Sequence, residues 1–264
     1  SGAKLVIPAG TKIMGTGGTI SYIAISQGAK IEVNGTATNP VVMTSTSQTP
    51  GSWGGLVICG KAPINKATPS TAEVSDLSYG GTDANDNSGS LKYLRIEYAG
   101  ANFNSEKEFN GLSLFGVGKG TTIEYIQLHN GSDDGIEFFG GTVDTKYIVS
   151  TGNEDDSFDW TEGWNGTNQY WYGKQLSNVG NRGIEADNNS NNQVATPISN
   201  PTISNITLIG RGEGSEPDAF KLRFGTLANV NNVVIKDFLV GFNVEHDESI
   251  AAVAAGTLKV TNVK

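Results

Sequence analysis

The chain has 264 residues, a formal net charge of −9 and only 17% charged residues. This acidic balance argues against non-specific nucleic-acid binding, which needs a basic surface, and the low charged fraction argues against extended disorder. No apolar run reaches the roughly 18 residues of a membrane span, and a single cysteine, Cys59, excludes an intrachain disulfide.

The first third of the chain contains short strand-like segments. Residues 20–25, 30–33 and 41–43 are rich in apolar residues, and we expect them to form the first coils of a repeating structure. The chain opens inside another such segment, without a signal peptide, so we expect upstream residues to have been removed. A truncated first coil would leave an open end for a protein partner or a second copy. The apolar neighbours of Cys59 indicate a buried, inert thiol.

Residues 61–90 form a segment rich in Pro, Ser, Thr, Asn and Asp, which predicts a long loop that is either functional or a cap over the repeat. Asp83, Asn85 and Asn87 place oxygen atoms at alternate positions, as at the start of a calcium loop. The glycine comes one residue later than in an EF-hand, and no distal glutamate follows. A metal-free loop of Asx-turns is the alternative.

Six segments between residues 110 and 244 align in one column. Their central apolar residues are Leu112, Ile136, Phe158, Ile184, Phe220 and Phe242, with steps of 24, 22, 26, 36 and 22 residues. A strand that recurs at such intervals is typical of a solenoid, whose stacked units share one core. A second column, beginning at Tyr93, Tyr125 and Tyr147, gives each coil at least one more strand.

The repeat predicts the fold. No segment shows a helical period, and the steps are shorter than the blades of a β-propeller. We therefore predict an all-β, right-handed parallel β-helix over residues 1–264 as a single domain, with coils of roughly 22–26 residues. Residues 61–90 and 188–200 are its loop insertions, and we expect the second, Asn-rich insertion to be exposed.

A column of carboxylates is predicted on the outside of this solenoid. Neighbouring side chains of a strand point to opposite faces, and stacked strands lie about 4.8 Å apart. If the central apolar residues point inward, their successors Glu137, Asp159 and Glu185 form a ladder on the outer face. The ladder offers a carboxylate pair for glycoside hydrolysis, at either the retaining or the inverting spacing.

Paired aspartates precede two of these strands. Clustered carboxylates raise one another's pKa unless a cation, backbone N–H groups or solvent neutralise them. Asp155 and Asp156 are therefore candidate calcium ligands, since calcium takes six to eight oxygen ligands. The structural alternative is that Asp134, Asp156 and Asp218 accept backbone N–H bonds in the turns.

Aromatic residues cluster beside the predicted acidic face. Alternation places Trp160 inward, whereas Trp164 lies in the turn 162–166, where we expect it to be exposed. An exposed indole can stack on the apolar face of a sugar. A local hydrophobic cluster is the alternative.

Basic and imidazole side chains limit the possible chemistry. Arg182 is the one basic residue in the acidic turn column, and with Lys221 and Arg223 it is the candidate for a polysaccharide lyase. His129 and His246 are the only histidines and lie far apart in sequence. A histidine-based zinc site or a Ser-His-Asp triad therefore lacks its residues.

Several segments resemble a widespread group of bacterial secreted or lipid-anchored β-helix proteins that is common in Bacteroidetes. The most specific is Asp133-Asp-Gly-Ile-Glu-Phe-Phe-Gly-Gly-Thr-Val143. The other segments are 53–65, 79–89, 110–112, 120–125 and 155–160. The resemblance implies a pectin-lyase-like right-handed β-helix and a location outside the cell or on its outer surface. It implies no activity, because a shared fold does not carry one.

Together these features favour a non-catalytic extracellular or cell-surface protein of a bacterium. Its acidic, aromatic-flanked face would contact a polysaccharide or cell-surface glycan, with Ca²⁺ as a cofactor. The predicted contact residues are Glu137, Asp159, Glu185, Trp164 and Arg182. The predicted calcium ligands are Asp83, Asn85, Asn87, Asp155 and Asp156. One alternative is a glycoside hydrolase or lyase whose catalytic candidates are Glu137, Asp159, Glu185 and Arg182. The other is a structural unit of a larger surface assembly.

Overall fold

The structure is a computed structural model that describes residues 2–212 and 218–264. Its strands are β1 (Lys4–Pro8), β2 (Lys12–Gly15), β3 (Gly18–Ile25), β4 (Lys30–Asn34), β5 (Val41–Ser45), β6 (Trp53–Cys59), β7 (Ser70–Thr71), β8 (Ser78–Tyr79), β9 (Gly89–Glu97), β10 (Leu112–Phe115), β11 (Thr122–His129), β12 (Ile136–Phe139), β13 (Thr145–Thr151), β14 (Phe158–Thr161), β15 (Thr167–Lys174), β16 (Ile184–Asp187), β17 (Thr202–Ile209), β18 (Asp218–Arg223), β19 (Ala228–Lys236), β20 (Val240–Val244) and β21 (Leu258–Val263). The helix is α1 (Asp247–Ala255).

Two parallel sheets run along the molecule. Sheet A has the order β1-β4-β9-β11-β13-β15-β17-β19-β21, with β2 and β5 paired beside its first strands. Sheet B has the order β3-β6-β10-β12-β14-β16-β18-β20. From β9 onward successive coils place one strand in each sheet, so strands of one sheet are neighbours although the other sheet's strand lies between them in sequence. The predicted parallel β-helix is confirmed.

The register of sheet B is the one that the sequence predicts. Ile136 pairs with Leu112 and Phe158, and Ile184 pairs with Phe158 and Phe220. These side chains are fully buried in one core that extends along the coils. Phe158 also stacks on Trp171 of sheet A, with ring centroids 4.4 Å apart. Alternation along each strand therefore sends the apolar residues into the core and their neighbours outward.

One short helix was missed in the sequence. α1 spans nine residues and ends at Gly256, which adopts the left-handed conformation that often ends helices. Its four alanines favour a helix, but so short a segment gives no clear period. The Ser249 hydroxyl accepts a hydrogen bond from the Gly225 backbone N–H, which joins the helix to the preceding coil. In the part of the chain that the structure describes, no helix is long and apolar enough to span a membrane.

The insertion 61–90 covers the outer face of β6, β10 and β12 in sheet B rather than an end of the solenoid. Ile64, Val74 and Tyr79 of the insertion pack on outward side chains of β6, β10 and β12 in a second apolar cluster. Cys59 lies inside this cluster, so the predicted buried thiol is confirmed, and burial raises its pKa to about 12. The insertion is joined to Glu162 by contacts from the Tyr79 hydroxyl and the Lys66 ammonium.

The insertion 188–200 is only partly exposed, which corrects the prediction. Asn188 and Ser199 are fully buried. The Asn188 side-chain oxygen accepts hydrogen bonds from the Ser199 N–H and the Asn65 amide, both at 2.8 Å. Its amide group donates to the backbone carbonyls of Gln193 and Ala195. The buried asparagine thus forms hydrogen bonds with backbone groups that have no partner in a sheet.

Candidate functional site

The outward face of sheet B carries the predicted carboxylate ladder. Glu137 pairs with Asp159, and Asp159 with Glu185, in three successive strands. We call these three residues the acidic column. Ser113 precedes the column, and Lys221 follows it at the same register. The shared face was therefore predicted correctly.

The acidic column is more deeply buried than a surface ladder. The Glu185 side chain is only 13% exposed. Asn110 donates a hydrogen bond to Glu137 at 2.6 Å, and Glu73 of the covering insertion adds a negative charge near it. Burial raises the pKa of Asp159 well above its usual range, and the negative charges of Glu137 and Glu185 raise it further. Burial, Glu73 and Asp134 do the same to the pKa of Glu137.

The aspartates of the turns have a structural role as well. Asp134 accepts a hydrogen bond from the Asp156 backbone N–H at 2.9 Å, and Asp156 accepts one from the Arg182 N–H at 2.6 Å. Each aspartate therefore fastens its turn to the next coil, as the structural alternative predicted. The turns also bring carboxyl groups together, and burial and the neighbouring Asp155 raise the pKa of Asp133 to about 8, which favours its protonated form.

Carboxylate oxygens from column and turns lie together in three groups, each with its oxygens within 4.8 Å of one another. The groups are Asp133, Asp134 and Asp155; Asp134, Glu137 and Asp159; and Asp156, Asp159 and Glu185. Asp159 belongs to two of them. Its buried Oδ1 has no hydrogen-bond partner among the described residues. Asp155 and Asp156, predicted as calcium ligands, thus lie in different groups.

Basic side chains neutralise one end of the acidic column. The guanidinium groups of Arg182 and Arg223 both contact Glu185. Arg223 also donates to Asp187 at 2.8 Å. Lys221 contacts Glu245 of the following coil's outer face. Within the described residues, neither Asp159 nor Glu137 has an ion pair, so the charge of the column is balanced only at the Glu185 end.

Trp164 does not flank this face, contrary to the prediction. The ring is fully buried and stacks on Phe138 with centroids 3.8 Å apart. Its indole N–H donates to the Val143 carbonyl at 3.1 Å. The turn that carries it folds inward because burying an indole with its N–H satisfied is favourable. The alternative of a hydrophobic cluster is therefore correct, and Trp160 is buried as predicted.

The predicted calcium loop lies apart from the acidic column. Asp83, Asn85 and Asn87 are exposed. Asp83 accepts a hydrogen bond from the Asn85 N–H at 3.0 Å, and Asn87 accepts one from the Gly89 N–H at 2.9 Å. These are the contacts of Asx-turns, and they occupy one oxygen of each side chain. Calcium binding by this loop stays a prediction.

Three residues near the acidic column were missed in the sequence. Asp187 follows Glu185 by two positions, so strand alternation could have placed it on the same face. Asn110 lies just before a strand, and only the neighbouring coil shows that its amide meets Glu137. Glu73 comes from the 61–90 insertion, whose path no local pattern predicts.

Comparison with known proteins agrees with this architecture. The whole chain, residues 1–264, matches the family model described as a pectate-lyase like beta helix domain. No curated protein matches the chain, and no solved structure does.

Proposed function

The chain belongs to the pectate-lyase-like β-helix family, and we propose that its acidic column binds a divalent cation, calcium in the first place. In this proposal it is a non-catalytic protein of a bacterial cell surface or exterior, which contacts acidic polysaccharide through the bound cation. The position of Asp159 carries the proposal. Asp159 belongs to two of the oxygen groups, and its Oδ1 atom has no hydrogen-bond partner among the described residues.

The charge balance of the acidic column supports a cation. Buried carboxylates are costly unless something neutralises them. Arg182 and Arg223 neutralise the negative charge of Glu185. The negative charges of Glu137 and Asp159 must then be removed by protons or balanced by a cation. All the candidate ligand atoms are oxygens, which calcium and magnesium prefer. Calcium suits the irregular groups better, because magnesium demands near-ideal octahedral geometry.

The outward orientation of the acidic column supports the polysaccharide step, because its three side chains are half-buried and therefore stay partly open to solvent. A cation held by three side-chain oxygens keeps coordination positions open, since calcium takes six to eight ligands. Carboxylates of an acidic polysaccharide can fill those positions. The cation then removes the repulsion that two acidic partners would otherwise feel.

Calcium titration by calorimetry tests the proposal. We expect the wild-type protein to bind calcium and Asp159→Asn to bind it at least tenfold more weakly, because Asp159 serves two oxygen groups. Asp76→Asn is the matched control, since Asp76 is exposed in the 61–90 insertion, and it should bind as the wild type does. Cosedimentation with polygalacturonate should require calcium and be lost in EDTA. A wild-type protein that binds no calcium contradicts the proposal.

Glycoside hydrolysis is the second candidate. Burial raises the pKa of Glu185, and the guanidinium groups of Arg223 and Arg182 oppose that rise. On the adjacent rung, burial raises the pKa of Asp159 and the negative charges of its neighbours raise it further. Two carboxyl groups whose pKa values differ in this way can serve as general acid and as nucleophile. Release of reducing ends from a polysaccharide panel, lost in Asp159→Asn, would favour this candidate over the non-catalytic one.

A further inference from the structure

A row of residues with positive φ marks a corner in seven strands of sheet A, from β9 to β21. It runs through successive coils on the sheet opposite the acidic column. Its members, which we call the corner row, are Tyr93, Tyr125, Tyr147, Tyr170, Asn205, Asn232 and Asn262, with φ between 50° and 61°. The row thus changes from tyrosine to asparagine along the solenoid.

The four tyrosines form a continuous stack at the surface. Successive ring centroids lie 4.4, 4.5 and 4.9 Å apart, with interplanar angles of 14° or less. These separations exceed the contact distance of about 3.5–4.0 Å between carbon atoms, so the rings are offset along the stack. Tyr125 is 38% exposed and Tyr170 is 42% exposed.

Tyrosine is a costly residue for this backbone. Asparagine enters the left-handed region readily, whereas a bulky side chain there is an outlier. Such conformations are strained and are frequent at ligand-binding sites. The same chain places Asn205 at the same register with a φ of 61°. The corner therefore folds with asparagine, and the tyrosines supply an aromatic, hydroxyl-bearing surface that the backbone does not require.

Two neighbouring cavities follow the corner row along the solenoid axis, and we refer to them together as the groove. The first part, about 340 Å³, is lined by Tyr93, Tyr125, Tyr147, Arg95 and Gln127 among others. The second part, about 560 Å³, is lined by Tyr170, Asn205, Asn232, Asn262 and Thr207 among others. The two parts adjoin where the rings of Tyr147 and Tyr170 stack, with centroids 4.9 Å apart. Each coil thus offers one aromatic ring or one amide to the same groove.

We infer that this groove binds a linear, neutral glycan, with about one sugar unit for each coil. Coils repeat every 4.8 Å or so, which is close to the length of a pyranose ring, whereas an extended peptide advances only about 3.3 Å per residue and falls out of register. Phenol and amide groups donate and accept hydrogen bonds, as sugar hydroxyls need. Partly exposed rings suit the apolar faces of sugars.

The charges around the groove indicate that the glycan is neutral. Arg95 is the only charged residue that lines the first part, and its guanidinium contacts Glu97. The second part has Lys264 as the one charged residue among its described lining residues, and the Lys146 ammonium lies 5.1 Å from the Tyr147 ring centroid and 5.9 Å from the Tyr170 ring centroid. A polyanion with one negative charge for each coil would therefore meet a cation in only some of the coils, on a chain of net charge −9. The inference does not depend on cation binding at the acidic column, which lies on the other sheet.

Calorimetry with three hexasaccharides in EDTA tests the inference: cellohexaose, mannohexaose and chitohexaose, with hexagalacturonate as the acidic comparison. We expect the wild-type protein to bind at least one neutral hexasaccharide. The double variant Tyr125→Asn/Tyr147→Asn should bind it at least tenfold more weakly, with an unchanged circular dichroism spectrum, because asparagine suits this backbone. Asp76→Asn, in the exposed part of the 61–90 insertion, is the control, and its affinity should stay within twofold of the wild type.

A second variant keeps the test decisive if the double asparagine variant does not fold. Tyr125→Phe/Tyr147→Phe retains the stack and removes two hydroxyls, and we expect a several-fold loss of affinity. Three outcomes would overturn the inference: no neutral hexasaccharide binds the wild type, the tyrosine variants bind as the wild type does, or hexagalacturonate binds more tightly than every neutral probe.

Discussion

Replacing Asp159 by asparagine should stabilise the protein when no divalent cation is present. The substitution removes a buried negative charge from the middle of the acidic column while keeping the size of the side chain. Since the Asp159 Oδ1 has no hydrogen-bond partner among the described residues, little is lost at that atom. We expect the effect at pH 8, where more of the column's carboxyl groups are ionised.

The size of the effect follows from the separation of the charges. Oxygens of Asp159 lie within 4.8 Å of oxygens of Glu137 and of Glu185. Two unit charges at that distance repel by roughly 3.5 kcal/mol at an effective dielectric constant of about 20. Partial protonation and the contacts of Glu185 with arginine reduce the net gain to about 1–3 kcal/mol. In a chain of this size, each kcal/mol raises Tm by roughly 2–4 °C.

Thermal unfolding in EDTA and in calcium measures the effect. In EDTA at pH 8, the Tm of Asp159→Asn should exceed that of the wild type. In calcium the Tm of the wild type should rise more than that of Asp159→Asn, because a ligand present at 100 times its Kd adds about 2.7 kcal/mol to the protein that binds it, whereas a site that binds tenfold more weakly gains about 1.4 kcal/mol. Asp76→Asn, in the exposed part of the 61–90 insertion, should follow the wild type in both media. A lower Tm for Asp159→Asn in EDTA would refute the reasoning, since the carboxylate would then be a structural acceptor.

Four further predictions test the fold and its electrostatics. In EDTA, the wild-type Tm should fall as pH rises from 5 to 8. The native state raises the pKa values of buried carboxyl groups, to about 8 for Asp133, and the stability that comes from their bound protons is lost as those protons leave. A Tm that rises over this range contradicts the assignment. Phe158→Asp should yield no folded protein, because it buries an unpaired charge in the core; an unchanged melting curve would show the coil register to be wrong. Trp164→Ala should lower the free energy of unfolding in urea by about 3–5 kcal/mol, whereas an exposed residue would change it little. Tyr79→Phe should remove the hydrogen bond to Glu162 at a cost of about 1–3 kcal/mol, and faster limited proteolysis within residues 61–90 would report it.

The repeat in the sequence determined the coils and their register. A shift of one residue would turn every inward side chain of a strand outward, so the apolar column at Ile136, Phe158 and Ile184 admits one pairing. That pairing places Glu137 and Asp159 on one outer face, where the structure has them. Both results follow from strand alternation, which is a local property of the chain.

The environment of the acidic column depended on residues far away in sequence. Glu73 reaches Glu137 from the 61–90 insertion, and Arg223 reaches Glu185 from a later coil. These contacts decide how far each carboxyl group is removed from water and which charges face it. Alternation predicts the direction of a side chain, but it carries no information about the loop that covers that side chain.

Trp164 and the corner row also show that the tertiary structure decides which side chains are exposed. The turn 162–166 has the composition of an exposed loop, yet its indole gains more by stacking on Phe138 than by remaining in water. Tyr125 belongs to an alternating strand, and only the bend of sheet A gives it a positive φ and a surface position in the groove. Periodicity in the sequence thus determined the coils, whereas contacts between coils and insertions decided which of their side chains meet solvent.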